Sequence, residues 1–282
     1  MDSIIKFPTL DISEFRHSQS SGDNLLYNEL KGNRHIEKPH KHDFFLFMLF
    51  EEGGGIHTID FVDYPVAGSQ LHILFPEQIH KWELPENTHA HQIMIGRSMF
   101  ETLAGSLRFS QISYQNHPII NLNPNAFKEL LYEFRLVKAE LAKPAILWEI
   151  INERVKLIAL MASREAETLF SDQTIYKTKP ILFKYLSLID TFYKTEKLLA
   201  FYANQLNISA NYLNILCKRH LNASATALIH QRLILETKRM LSTSDSPLKI
   251  IAAELGFYDM AHFSKFFKSN TRMTPRSFRE QS

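Results

Sequence analysis

The rhythm of apolar positions changes twice along the chain. Between about Asn33 and Met99, short apolar runs alternate with Pro, Gly and acidic residues. Phe44–Phe50 predicts a buried strand, Glu51-Glu52-Gly53-Gly54-Gly55 a hairpin turn, Ile56–Phe61 the return strand, and Gln70–Phe75 another. Strands of this length and spacing predict an antiparallel sandwich or barrel. From Pro124 the step becomes three and four residues, through Phe127, Leu130, Leu131, Phe134 and Val137. After Pro144 it continues through Leu147, Ile150, Ile151, Val155, Ile158 and Leu160. These are two amphipathic helices, whose apolar stripes can face their own domain or a second subunit. The first 30 residues predict loops with a short strand. Polar residues from Ser171 to Lys179 precede Pro180 and predict a boundary, after which everything reads as short helices. The expected fold is α+β in two domains. A β-barrel or sandwich occupies 1–122, trailing helices 123–176, and an all-α domain with two helix-turn-helix units 177–282.

Two segments of the last part resemble each other. Ala203–Leu213 and Ala253–Phe263 each run from a helix end through Asn207 or Gly256 to an apolar residue, then to Ser209 or Asp259 and a new helix. Asn and Gly tolerate the left-handed backbone that stops a helix, and Ser and Asp satisfy the free N–H groups of the next one. The combination specifies two helices joined by a tight turn. Ser246 is expected to cap the helix before the second turn, with Pro247 in its first turn. Ile250, Ile251 and Leu255 are expected to face inward, as are Phe263, Phe266 and Phe267 of the following helix. Leu213, Leu216 and Cys217 do the same in the first unit.

Charge sharpens this picture. The chain carries +2 overall, but Lys177 to the end holds 16 Lys and Arg against 7 Asp and Glu, whereas the first 176 residues hold 16 against 23. A basic tail on an acidic body suggests a polyanion partner for the tail. The 282 residues are 45% hydrophobic and 22% charged, as in a soluble protein of about two domains. No apolar run is long enough to cross a bilayer, and no secretion signal is apparent, so a cytoplasmic location is expected. The single cysteine, Cys217, excludes a disulfide framework and reads as packing rather than a redox sensor. No phosphate loop or nucleophile elbow is present, so an enzyme is not expected.

The stretch from about Phe183 to Arg279 resembles the DNA-binding domain of the AraC family of bacterial transcription regulators. The residues that carry the resemblance are Arg232-Leu233, Lys238-Arg239-Met240-Leu241, Ile250-Ile251-Ala252, Leu255-Gly256-Phe257, Phe263-Ser264-Lys265-Phe266-Phe267-Lys268 and Thr274-Pro275. Cys217 stands where the family usually has Phe, Asn222 and Arg272 where Gly is usual, and Ala225 where Pro is common. The resemblance implies two reading helices in successive major grooves of double-stranded promoter DNA, spaced by a long helix from about Ala223 to Leu241. By position it implies Asn211, Asn214, Ile215, Ala261, His262 and Lys265 as base readers. Ser209, Lys218, Arg219, Lys268 and Arg276 would meet phosphates.

The half before Asn121 resembles the cupin-like sensor domain of many such regulators. The matching text is Lys38-Pro39-His40-Lys41-His42-Asp43, Gly53-Gly54-Gly55, Ile59-Asp60-Phe61 and Phe75-Pro76-Glu77-Gln78-Ile79-His80. That resemblance implies a small-molecule effector, sugar-like at the level of the family, a homodimer, and RNA polymerase as a further partner. His40, His42, Phe44, Phe75, His80, Trp82 and Met94 are the expected pocket residues. Two His at i and i+2 on a strand face the same way, and His80 could join them on a zinc ion. Metal-binding cupins usually add a Glu where this chain has Phe44-Phe45-Leu46-Phe47-Met48, so no metal or cofactor is expected. His57, His72, His89 and His91 show no clear spacing and read as surface or strand positions. Two alternatives stay open: a ligand-free dimeric regulator, and a metal-dependent cupin enzyme fused to a DNA-binding module.

Overall fold

The computed structural model describes residues 9–10, 24–109, 111–169, 180–244 and 246–281. They fall into two compact units, one within Pro8–Ser171 and the other within Asp172–Ser282. The boundary segment Ser171–Lys179 and most of the first 23 residues lie outside the described residues.

The first unit is built on β1 (Thr9–Leu10), β2 (Leu25–Lys31), β3 (Arg34–His42), β4 (Phe45–Glu52), β5 (Ile56–Ile59), β6 (Val62–Pro65), β7 (Gln70–Leu74), β8 (Ile79–Leu84), β9 (His89–Ile95) and β10 (Ile119–Asn121). Two sheets form, in the orders β1-β3-β8-β5-β6 and β10-β7-β4-β9-β2. All described pairings are antiparallel except β1 with β3. The helices α1 (Arg97–Leu103), α2 (Gln111–Asn116), α3 (Pro124–Leu141) and α4 (Trp148–Leu169) complete the unit.

The unbroken apolar run around β4 follows from its position in the middle of the second sheet. Leu46, Met48 and Phe50 belong to the core between the sheets, with Leu30, Phe44, Leu74, Trp82 and Met94. Phe45, Phe47 and Leu49 point the other way, into a core shared with Leu130, Phe134 and Val137 of α3 and Ile151, Val155 and Ile158 of α4. The inner stripes of the two helices are therefore spent within their own unit. Leu147, Leu157 and Leu160 remain exposed, so Leu160 does not share the buried stripe with Val155 and Ile158. Asn123 caps α3 by accepting from the N–H groups of Asn125 and Ala126. The expected hairpin at Glu51–Gly55 is a correction: β4 pairs with β7 and β9 while β5 pairs with β6 and β8, so the glycines carry the chain from one sheet to the other. Gly55 has φ +74°, and a Cβ there would lie 2.0 Å from the Glu83 carbonyl oxygen.

The second unit is all helical among its described residues: α5 (Pro180–Phe192), α6 (Leu199–Gln205), α7 (Ala210–Leu221), α8 (Ala225–Thr243), α9 (Leu248–Glu254), α10 (Met260–Thr271) and α11 (Pro275–Gln281). The long α8 packs against α5, α7, α9, α10 and α11. No described helix in either unit is long and apolar enough to cross a membrane.

Candidate nucleic-acid interface and effector pocket

The first helix-turn-helix unit is α6 followed by α7. Asn207 supplies the left-handed turn at φ 53°, and the Ser209 hydroxyl accepts from the Tyr212 N–H to start α7. Leu213, Leu216 and Cys217 point inward, and burial pushes the Cys217 thiol up to about 12, which removes it from redox chemistry at neutral pH. Asn211 and Ile215 are exposed on the opposite face, with Lys218 and Arg219 in the last turn. Asn214 departs from the expected role. It is only half exposed, and its Oδ1 accepts from the Ala225 N–H at 3.1 Å. Its carbonyl oxygen thus anchors the start of α8, a duty that competes with bidentate recognition of a base.

The second unit, α9 and α10, repeats the device. Gly256 has φ +71°, and Asp259 accepts from the N–H groups of Ala261 and His262. Helix α9 starts one residue later than expected, with Pro247 at its N-cap and no side-chain capping bond, and Ile250 is 46% exposed rather than inward. Phe263 and Phe267 are buried, while Phe266 is half-buried against Phe257 and His230. Ala261, His262, Lys265 and Lys268 are exposed. Among the described residues none of Lys218, Arg219, Lys265 and Lys268 has an acidic partner, whereas Arg276 pairs with Glu280 at 2.9 Å. Asn222 and Arg272, which replace the usual glycines, both take the left-handed conformation at the ends of α7 and α10.

The turn at Gly256 leaves no room for a side chain. An added Cβ would lie 2.0 Å from the Lys194 carbonyl oxygen, and Lys197 Nζ bonds the Gly256 oxygen at 2.8 Å while sitting 4.8 Å over the Phe257 ring. Gly256→Ala is therefore expected to destabilise the helical unit by about 2 kcal/mol. Chemical denaturation followed by circular dichroism checks this, with Gly105→Ala, where nothing lies within 4 Å of the added carbon, as control.

In the barrel, a cavity of about 180 Å³ is lined by Asn28, Leu30, Arg34, His40, His42, Phe44, Leu46, Trp82, Gln92 and Met94. Five of the expected pocket residues (His40, His42, Phe44, Trp82 and Met94) line it. His80 lies behind His42 and is not part of the wall. Phe75 is a correction: it packs on Phe45, Phe100 and Tyr114, on the helix-covered face of the sheet. Strand alternation sends it there, because β7 residues Leu71 and Ile73, of the same parity, face the helices too. Asn28, Arg34 and Gln92 were not singled out by sequence; each sits on a strand with no neighbouring motif.

The family comparisons match both halves in chain order. The AraC-like ligand binding domain family matches residues 25–135, and the helix-turn-helix domain family matches residues 202–281. The chain carries an AraC-like ligand binding domain followed by an AraC-type helix-turn-helix domain. The chain is similar to the raffinose operon transcriptional regulatory protein RafR of Pediococcus pentosaceus, 36% identical over 75 residues, which is 27% of this chain and 27% of that regulator. ToxT from Vibrio cholerae O395 is similar at 16% identity over 92% of this chain and 98% of the other, with a TM-score of 0.45. The C-terminal domain of the response regulator yesN from Fusobacterium nucleatum is 25% identical over 34% of this chain and 93% of that domain, with a TM-score of 0.32.

Within this AraC-type barrel, four histidines form a continuous buried chain. His72 Nδ1 lies 2.9 Å from His57 Nδ1, His57 Nε2 lies 2.9 Å from His80 Nδ1, and His80 Nε2 lies 2.5 Å from His42 Nε2. At the other end His72 Nε2 lies 3.1 Å from Gln70 Oε1, an atom that also accepts from the Ala67 N–H. That acceptor sets every proton. His72 must donate from Nε2, so it accepts at Nδ1. His57 then donates from Nδ1, His80 from Nδ1, and His42 from Nε2. Burial, reinforced by the neighbouring rings, holds His42, His72 and His80 well below the usual imidazole range and pushes His57 down to about 3. The rings are neutral at pH 7, as this pattern of single protons requires.

His57 and His72 are thus not surface positions. They sit two strands apart in sequence and converge only in the folded barrel, which is why spacing did not reveal them. His40, His42 and His80 each offer a ring nitrogen within 4.8 Å of the others and are the barrel residues that could hold a metal. As hydrogen-bonded, however, the lone pair of His80 Nε2 already accepts from His42.

Proposed function

We propose that the chain is an effector-controlled transcription regulator whose helical unit reads double-stranded promoter DNA through α7 and α10. One observation carries this reading: two capped helix-turn-helix units, joined by α8, each expose a face of small, polar and basic side chains over an apolar inner stripe. Asn211, Ile215, Ala261, His262 and Lys265 are the base-reading set, with Asn214 limited by its bond to Ala225. Ser209, Lys218, Arg219, Lys268 and Arg276 serve the phosphates. Lys265→Ala is expected to weaken binding to a native promoter site by about 1–3 kcal/mol and to relax base preference, whereas Lys268→Ala should weaken all sequences alike. Titration at fixed salt against native and scrambled duplexes is the test. Equal grip on both duplexes by the unaltered protein would overturn the reading.

The effector reading rests on the cavity. Its wall combines Trp82, Phe44 and Met94 with Asn28, Arg34, Gln92 and two imidazoles, the mixture of apolar surface and few polar groups that small ligands use. About 180 Å³ holds roughly six waters' worth of volume, which favours a ligand of monosaccharide size. The name of RafR points to a sugar, and an aromatic face with amides suits one. An open cavity also favours this reading over a ligand-free regulator. The exposed Leu147, Leu157 and Leu160 support a homodimer through α4. Action in the cytoplasm with RNA polymerase belongs to the same reading.

A further inference from the structure

A second cluster of ligating side chains lies outside the barrel, on the face of the β10-β7-β4-β9-β2 sheet that α3 covers. His89 and His91 alternate along β9 and so share that face, Glu29 on β2 pairs directly with His91, and Glu51 comes from β4. The register shift between Phe50 and Glu52 inserts an extra residue opposite Ala90, and it brings Glu51 between the two imidazoles. Glu51 Oε1 lies 2.5 Å from His91 Nε2 and 3.6 Å from His89 Nδ1. Glu29 Oε1 is 3.8 Å from His91 Nδ1, and Glu29, His89 and His91 each offer an atom within 4.8 Å of the other two. His89 Nε2 is buried without a hydrogen-bond partner. In the present hydrogen bonds His91 Nε2 donates to Glu51 and Nδ1 accepts from the Tyr27 hydroxyl at 2.6 Å; in the other tautomer that hydroxyl accepts from Nδ1 and leaves Nε2 as a lone pair.

From this geometry we infer that Glu29, Glu51, His89 and His91 form a site for a zinc-like divalent ion. Two imidazoles and two carboxylates are a sufficient tetrahedral set for zinc. The positive charge beside the carboxylates is now supplied by side chains that can leave. Lys138 Nζ is 2.5 Å from Glu29, Arg135 is 3.1 Å from Glu51, and Lys31 is 3.2 Å from Glu29, with the three cations 51%, 58% and 64% exposed. Exposed pairs of this kind contribute little each. A bound ion would replace them, with the single His91 ring proton moving from Nε2 to Nδ1, where the Tyr27 hydroxyl accepts it. Arg135 and Lys138 both belong to α3, so occupancy exchanges two ties between the helix and the sheet for bonds made inside the sheet.

The test is a zinc titration of the full-length protein against a chromogenic chelator. Unaltered protein is expected to bind one ion per chain outside the barrel. His89→Ala and the nearly isosteric Glu51→Gln should each lower zinc affinity by more than about tenfold, since even the loss of an outer partner has that effect. Arg135→Ala should raise it severalfold by freeing Glu51. His42→Gln, which alters the barrel cluster, should leave it unchanged. Affinity that follows His42→Gln but ignores His89→Ala and Glu51→Gln would overturn the inference, as would no zinc uptake at all.

Discussion

Acidifying the protein from about pH 7.5 to about pH 5.5 is expected to destabilise the barrel unit by about 5 kcal/mol. His42, His57, His72 and His80 are kept neutral by burial, first of all, and by the neighbouring imidazoles, His40 among them. In the unfolded chain each imidazole takes up a proton as pH falls below its ordinary value of 6.5. The unfolded state therefore binds more protons, and stability rises with pH throughout the window between the depressed folded values and 6.5. Each ring contributes about 1.4 kcal/mol per pH unit there, and four act together. The contribution is fully present above the unfolded value and is lost as pH falls towards the folded one, about 3 for His57. Both tryptophans of the chain, Trp82 and Trp148, belong to this unit, so urea denaturation followed by tryptophan fluorescence reports on it directly. A stability flat across the interval would show that the four rings titrate as free imidazoles. His57→Gln should shallow the slope.

Glu236→Ala is expected to destabilise the helical unit by about 3–5 kcal/mol. The Glu236 side chain is 10% exposed and lies 3.1 Å from Arg232, 3.7 Å from Arg239 and 3.5 Å from Lys194. Arg232 is also 3.3 Å from Asp190 and stacks 4.0 Å over the Tyr193 ring, so this network ties α8 to α5. Burial alone would raise the Glu236 carboxyl, but Arg232 and Arg239 outweigh it and hold the group below the usual carboxylate range. Removing the carboxylate leaves two guanidinium groups close together with little water, whereas Glu236→Gln keeps an acceptor and should cost less. Thermal melts by circular dichroism measure both. A loss under about 1 kcal/mol for the alanine variant would show that solvent reaches the site and screens it.

What the sequence disclosed, and what it hid, follows from how local each signal is. The two turns were legible because Asn207 with Ser209, and Gly256 with Asp259, write stop and start signals within three residues. Helix α8 was legible only through the family resemblance, which implied a long helix from about Ala223 to Leu241 where the structure has Ala225–Thr243. Strands β2, β3, β8 and β9 were harder, since their outward polar residues interrupt the apolar pattern and their pairings join distant positions. The cavity wall was partly legible through His40 and His42, which share a strand face. The direction of Phe75 depended on which face of β7 was covered by helices, a matter of tertiary packing. Asn214 looked like a reader because it lies on the outer half of α7, yet its partner Ala225 is 11 positions away across the bend into α8. The buried histidines were hidden for the same reason: His57, His72 and His80 meet only when two sheets close.

Helix α8 makes the helical unit a gauge of fixed length. Its 19 residues extend about 28 Å, close to the rise of one duplex turn. Each residue of such a rod also carries about 100° of rotation. Inserting one alanine near Ile234 would thus lengthen the gauge by only about 1.5 Å but swing everything beyond it through more than a quarter circle. A promoter could not compensate for that by adding base pairs, so the length of this rod must evolve in whole turns.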